Sequence, residues 1–327
     1  MENILEVKNL KKHFPIKKGF FRKEVNSVKA VDGVSFNLKK GETLGLVGES
    51  GCGKSTLGRT LIRLYEPTEG SIYFKGQDFC KVSGSELRKL RRNIQMIFQD
   101  PYASLDPRMT VGQILTQPMK IHNLHQANER LDRAKELLEI VGLRASHINR
   151  YPHEFSGGQR QRISIARAIS LEPELIIADE PVSALDVSIQ AQILNLLKDL
   201  QDKFKLTFIF ISHDLKVIEH FCDRVSVMYL GRMVETATRN EIYEHPLHPY
   251  TQALFSSIPQ VGTGKKKMEK TLIGEVPSPL NPPSGCHFHP RCPKILSQCS
   301  SERPELNEIR LNHEASCWLY PNSKETR

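Results

Sequence analysis

The strongest chemical signal in the chain is the run Gly48-Glu49-Ser50-Gly51-Cys52-Gly53-Lys54-Ser55-Thr56. A G-x-x-x-x-G-K-[ST] pattern of this kind is built to cradle phosphate. Its glycines let the backbone turn tightly and aim successive N–H groups at phosphate oxygens. Lys54 can reach the β- and γ-phosphates of a nucleotide, and the hydroxyl of Ser55 is a magnesium ligand by type. The flanking elements decide between this reading and a chance glycine-rich turn. Thr43-Leu44-Gly45-Leu46-Val47 reads as a buried strand entering the loop, and Lys54 to Leu64 as a helix leaving it. Leu57, Leu61 and Leu64 fall at helical spacing. Strand, loop and helix come in the order the chemistry requires, and the helix start adds partial positive charge facing the anion.

Three more apolar runs end in residues that suit a phosphate site. Leu175-Ile176-Ile177-Ala178 leads to Asp179-Glu180, so a buried strand delivers two carboxylates. Asp179 can hold magnesium through its water shell, and Glu180 can polarise a water attacking the γ-phosphate. Asn93 to Phe98 leads to Gln99, which can ligate the metal or orient that water. Leu206 to Ser212 leads to His213. Taken singly, each is an ordinary polar strand end. Together they read as one site at the C-terminal ends of a parallel sheet, where such sheets bind ligands.

About a hundred residues after the phosphate loop comes Phe155-Ser156-Gly157-Gly158-Gln159, and soon after it Ser183-Ala184-Leu185-Asp186. With these in place the chain resembles the ATP-binding subunits of ABC transporters over residues 3–258. The correspondence is a phosphate loop at 48–56, a Q-loop at Gln99, a signature at 155–159, a Walker B strand at 175–180, a D-loop at 183–186 and a switch histidine at His213. Phe155 stands where the family more often has Leu. The resemblance implies an α/β P-loop NTPase with a RecA-like core, an antiparallel β subdomain and a helical subdomain at about 105–171. It also implies two ATP molecules sandwiched between two head-to-tail subunits. On that reading ATP and Mg²⁺ are bound by Gly48 to Thr56, with Ser55, Gln99 and Asp179 around the metal. Glu180 is the base, His213 holds the γ-phosphate, and Asp186 links the two sites. Lys54, with Ser156 and Gly158 presented by the facing subunit, stabilises the transferring phosphoryl group, and Gly157 and Gln159 complete the signature. The physical logic of the signature is again a helix start, here Gln159 to about Ser170, pointing at an anion. The family stacks an aromatic ring on adenine, for which Phe14 is the candidate; a core role for Phe14 is the alternative.

Later segments narrow the resemblance. Glu244-His245-Pro246-Leu247-His248-Pro249-Tyr250 and Gly274-Glu275-Val276-Pro277 are followed by Gly285-Cys286-His287-Phe288-His289-Pro290-Arg291-Cys292-Pro293. These resemble the ATPases of dipeptide and oligopeptide importers, and the insertion at Pro15–Lys23 and the run Gln99–Pro107 resemble their F-type subunit. Implied partners are a second, homologous ATPase subunit, two transmembrane permease subunits and an extracytoplasmic peptide-binding protein. Related importers carry nickel or glutathione, and those cargoes stay open. The expected organisation is a nucleotide-binding domain over 1–260 and a small Cys-rich C-terminal extension over 261–327.

At 327 residues the chain is long enough for one sizeable α/β core with an appendage. Its longest apolar runs are far short of the ~20 residues that span a bilayer, and no secretory signal is visible. The expected location is the cytoplasmic face of the membrane, reached by docking on partners. A net charge of +9 would also suit nucleic acid. The basic clusters are scattered and read as solvated faces, with Phe20-Phe21 a candidate for resting on lipid headgroups. An ATPase acting on nucleic acid or ribosomes fits less well, because the loop-to-signature separation is compact and the chain holds one ATPase domain. No nucleic-acid partner is expected. In the helical region Leu131, Ala134, Leu137, Leu138 and Val141 form an apolar face.

Cys286, Cys292, Cys299 and Cys317 crowd into 32 residues, separated by five, six and seventeen others. Cytosolic disulfides are disfavoured, and there is no C-x-x-C pair of the usual zinc kind. Four thiolates suit a [4Fe–4S] cluster or Zn²⁺, and reduced, uncoordinated thiols are the third reading. Tails of this pattern in the resembled importers imply the cluster.

Overall fold

A computed structural model describes residues 2–18, 23–256 and 274–320. Phe20 and Phe21 lie outside the described residues. The chain forms two compact units, one of residues 2, 39–42 and 81–211, the other of residues 3–38, 43–80 and 212 onward.

In the first unit three parallel strands, Ile94–Ile97, Leu175–Asp179 and Thr207–Ile211, pair in that order. Leu175 faces Ile94 on one side and Thr207 on the other, and Asp179 faces Ile211. The middle and last strands are buried at every position, as their unbroken apolar runs require. The helices Val111–Ile121, Arg130–Ile140 and Gly157–Ile169 bury Val111, Ile114, Leu115, Met119, Ala134, Leu137, Leu138 and Ile163. Leu131 departs from the expected apolar face: it is 46% exposed, one turn before Ala134 in the first turn of its helix.

The second unit holds an antiparallel sheet in the order Lys23–Lys39, Asn3–Lys18, Glu69–Phe74, Gln77–Asp78. Beside it, Thr43–Val47 runs parallel to Arg224–Tyr229, which pairs antiparallel with Arg232–Thr238. Residues 307–315 then continue this ladder. His313–Ala315 pairs with Arg232–Thr238, placing Ala315 opposite Glu235, and Asn307–Arg310 pairs outside it.

A buried carboxylate secures that junction. Glu235 is fully buried and accepts hydrogen bonds from the N–H groups of Leu247 and His248, at 2.8 and 2.7 Å. His313 Nε2 lies 2.7 Å from its Oε1. His248 is also buried; its Nδ1 accepts the N–H of Tyr250 at 3.1 Å, and burial pushes its pKa down to about 4.

Candidate functional site

The phosphate loop is shaped by its glycines. The buried strand Thr43–Val47 leads into it and the helix Lys54–Leu61 leaves it, with Gly53 at the helix cap at φ 106°. Gly48 has φ 150° and Gly51 φ 78°. A Cβ on Gly53 would stand 2.0 Å from the carbonyl oxygen of Ala30, and one on Gly48 2.2 Å from that of Met228. Only hydrogen fits at either place, so the loop lies pressed onto neighbouring backbone. Lys54 is buried, and its Nζ donates to the carbonyls of Gly48 at 2.7 Å and Glu49 at 3.1 Å. The ammonium therefore closes the loop on itself. Cys52 is buried beside it, and that burial raises its thiol pKa. The helix ends three residues before Leu64, because Arg63 takes φ 53° and donates Nη1 to the Phe79 carbonyl at 2.8 Å. Leu64 consequently faces outward, 56% exposed.

Phe14, half-buried on the strand Asn3–Lys18, meets the ring of Tyr65 edge-on at 5.4 Å, and Lys12 Nζ lies 4.9 Å over it. Tyr65 had no sequence signal of its own. His213, exposed, follows Ser212, whose hydroxyl accepts the N–H of Asp214.

In the first unit, Asp179 is fully buried at its strand end. Glu180 follows in the left-handed region at φ 47°, its N–H donating to the Ile211 carbonyl at 2.9 Å. A non-glycine residue there carries backbone strain, a common property of functional positions. Gln99 Nε2 donates to Glu180 Oε2 at 2.7 Å, so two of the residues chosen from sequence meet directly. Asp186 is exposed at the start of the helix Val187–Phe204.

The signature is more compact than a loop-then-helix reading suggests. Gly157 and Gly158 already belong to the helix Gly157–Ile169, and Ser156 is its N-cap. Ser156 Oγ accepts the N–H of Gln159 at 3.4 Å, and Gln159 Oε1 accepts the N–H of Ser156 at 3.0 Å. The S-x-x-Q spacing of a capping box was legible in Ser156-Gly157-Gly158-Gln159. A Cβ on Gly158 would stand 2.6 Å from Ile189 Cγ2, so the glycine also serves close packing on the segment after the D-loop.

Comparison with known proteins identifies the family. The ABC transporter family model matches residues 31–183, and the oligopeptide/dipeptide transporter C-terminal region matches residues 234–299. The oligopeptide transport ATP-binding protein AppF of Bacillus subtilis (strain 168) is 60% identical, with 98% of each chain covered. The chain belongs to the ATP-binding subunits of oligopeptide/dipeptide ABC transporters. The dipeptide transport ATP-binding protein DppF of Haemophilus influenzae is 53% identical, with 93% of each chain covered. Among solved structures, the dimeric post-hydrolysis ATP-binding cassette MJ0796, bound to ADP and Pi, is 32% identical with a TM-score of 0.63. That match covers 72% of this chain and 98% of the other. The chain is thus an ABC-type ATPase with the α/β cassette fold expected of it.

ATP and Mg²⁺ are implied by the family, and the residues present fit them. The cradle at Gly48 and Gly53 excludes any side chain, and Ser55, Gln99 and Asp179 are oxygen donors of the kind that hard cation takes. The tail cysteines fit less fully. Burial raises the pKa of Cys286 and Cys292 and pushes that of Cys317 up to about 12, with the neighbouring thiols adding to the effect. Among the described residues no group of three or more His, Cys, Asp or Glu side chains is arranged to hold a metal ion. Nor, among them, is any helix long and apolar enough to cross a membrane.

Proposed function

We propose that this ATPase powers the import of oligopeptides or dipeptides as one motor subunit of a membrane transporter. The observation that carries the cargo assignment is the end-to-end similarity to AppF. Nickel or glutathione import by the same motor is the alternative cargo. The permease subunits, a second ATPase subunit closing head-to-tail and an extracytoplasmic peptide-binding protein are the partners on this reading. Its place is the cytoplasmic face of the membrane.

In the proposed cycle the loop at residues 48–56, through backbone N–H groups other than that of Glu49, and Lys54 hold the triphosphate. Ser55, Gln99 and Asp179 would hold Mg²⁺, which when bound would supply neutralisation of phosphate charge. Glu180 takes up proton density from the attacking water, and Gln99, already bonded to Glu180, orients that carboxylate. His213 holds the γ-phosphate. The Ser156 helix start meets the same phosphate from the facing subunit, and Asp186 relays between the two sites. Phe14 stacks on adenine. Lys54 and the helix start stabilise charge on the transferring group.

The test is uptake of a labelled di- or oligopeptide by cells carrying Glu180→Gln in place of the native chain, with nickel uptake in parallel. Loss of peptide uptake alone is expected. Loss of nickel uptake alone would keep the motor and change the cargo, and no loss of either would overturn the transport reading.

A second, smaller proposal concerns the tail: Cys286, Cys292, Cys299 and Cys317 take up a [4Fe–4S] cluster on maturation, with Zn²⁺ as the alternative. Four cysteines within 32 residues of sequence support it by donor type. Iron and sulfide in anaerobically purified protein are expected; a colourless, iron-free preparation would remove the cluster, and stoichiometric zinc would replace it.

A further inference from the structure

Arg291 closes a short turn, His289–Arg291, in the C-terminal extension, and its side chain is only 4% exposed. A guanidinium so buried needs a counter-charge and acceptors. It finds them in the phosphate loop. Nη1 donates to Glu49 Oε2 at 2.7 Å and Nη2 to Glu49 Oε1 at 3.1 Å, a two-pronged pairing. Nη1 also lies 3.4 Å from the Tyr229 hydroxyl. The guanidinium lies 5.9 Å over the ring of Tyr229 and 6.0 Å over that of Phe288, and Tyr250 packs against both rings, all three buried with centroids 4.7 to 5.4 Å apart. Tyr250 makes a second link, its hydroxyl accepting the Glu49 N–H at 2.8 Å.

Glu49 is therefore a joint. Its carboxylate and N–H face Arg291 and Tyr250, while its carbonyl accepts Lys54 Nζ at 3.1 Å and the Cys52 N–H at 3.2 Å. Its N–H, spoken for by Tyr250, is not part of the free phosphate cradle. Phosphate affinity depends on donors held in place before the ligand arrives, since ordering a loose loop costs binding energy. Within the Gly48–Thr56 motif only the Glu49 carbonyl is held, by Lys54 and Cys52; its carboxylate and N–H are held by Arg291 and Tyr250 from outside the motif.

We propose that Arg291, together with Tyr250, is a positioning residue for ATP binding: the extension clamps Glu49 and so keeps the phosphate loop in its ligand-ready form. The inference rests on the nucleotide reading of residues 48–56.

The test uses the full-length chain, equilibrium titration with ATP–Mg²⁺, and melting temperatures on the same samples. Three variants are compared: Arg291→Met, which keeps the stem over the rings and removes the fork; Glu49→Gln; and the two combined. Each single change is expected to weaken ATP affinity by about tenfold, and the double change by no more than about twofold beyond either, because both break one interaction. Unchanged affinity in Arg291→Met would overturn the proposal. So would an Arg291→Met effect as large in the Glu49→Gln background as in wild type, since the extension would then act by another route or by general loss of fold. Tighter binding in Glu49→Gln would overturn it too, by reducing the carboxylate to a source of repulsion. If Arg291→Met does not fold, Glu49→Gln alone decides. A wild-type chain that bound no ATP would instead remove the nucleotide reading itself, an outcome separate from any difference among the variants.

Discussion

Two glycines of one loop should respond very differently to the same substitution. At Gly51 a new Cβ meets nothing within 4 Å, and only its φ of 78° resists a side chain. A left-handed conformation costs a non-glycine residue about 1–2 kcal/mol. That strain is present with and without ligand, so it lowers stability and leaves most of the affinity. At Gly53 the Cβ would lie 2.0 Å from the Ala30 carbonyl oxygen, well over 1 Å inside an ordinary contact of about 3.5 Å. Neither partner is a flexible side chain, so the loop itself must move by an ångström or so. Misplacement on that scale costs about 10²-fold where geometry is tight. Gly53→Ala is therefore expected to weaken ATP–Mg²⁺ binding by about 100-fold or more, and Gly51→Ala by less than about fivefold with a melting point lower by a few degrees. Equilibrium titration and thermal melts on the same preparations decide. Equal losses at the two positions, or near-wild-type binding in Gly53→Ala, would refute the reasoning from backbone contact.

Glu180→Gln should cut ATP hydrolysis by about 10²-fold or more with ATP affinity within about threefold, read by phosphate release and titration; a wild-type rate would remove Glu180 as base. Glu235→Gln replaces an acceptor of two backbone N–H groups by an amide that can serve only one with its oxygen, and should cost about 2–5 kcal/mol in a urea melt. An unchanged midpoint would deny that junction its role. His248 is buried neutral with its pKa depressed to about 4, so the unfolded chain binds the extra proton as pH falls below its usual 6.5. Its contribution is full above 6.5, where both states are neutral, and is lost as pH drops toward 4. The stability advantage of wild type over His248→Asn should shrink across that window; an advantage constant from pH 7 to 4 would contradict it. Glu235, which faces the same residue, opposes the shift without reversing it.

Much of the candidate site was legible because its residues lie where strands end and helices begin. Thr43–Val47, Leu175–Asp179 and Thr207–Ile211 are short buried runs with unambiguous ends, and each delivers its polar residue by chain order alone. Gln99 and Glu180, 81 residues apart, meet because their strands pair in parallel register. Other features were not readable. Periodicity carried the first helix on to Leu64, but the left-handed turn at Arg63 is fixed by a carbonyl of Phe79 that no local pattern announces. Leu131 has the right spacing for a core face and the wrong position along the helix to reach it. The clamp on Glu49 joins residues 242 apart in sequence, and the pairing of His313–Ala315 with Arg232–Thr238 depends on a strand too short to stand out by composition.

That added hairpin has a consequence for how the chain behaves in company. Without it, the strand Arg232–Thr238, with Met233 to Ala237 all buried, would present an open row of amides and carbonyls beside apolar Met233, Val234 and Ala237 and the buried Glu235 and Thr236. Such a border recruits strands from other molecules. In its place the ladder finishes with Asn307–Arg310, four residues long, with exposed Glu308 and Arg310 and a register irregularity between them. A short, charged and uneven border offers an incoming strand few bonds in sequence. The tail thus acts as a selvedge, finishing the fabric so that it does not unravel into its neighbours. Cutting it away should give a chain that aggregates rather than a tidy minimal ATPase.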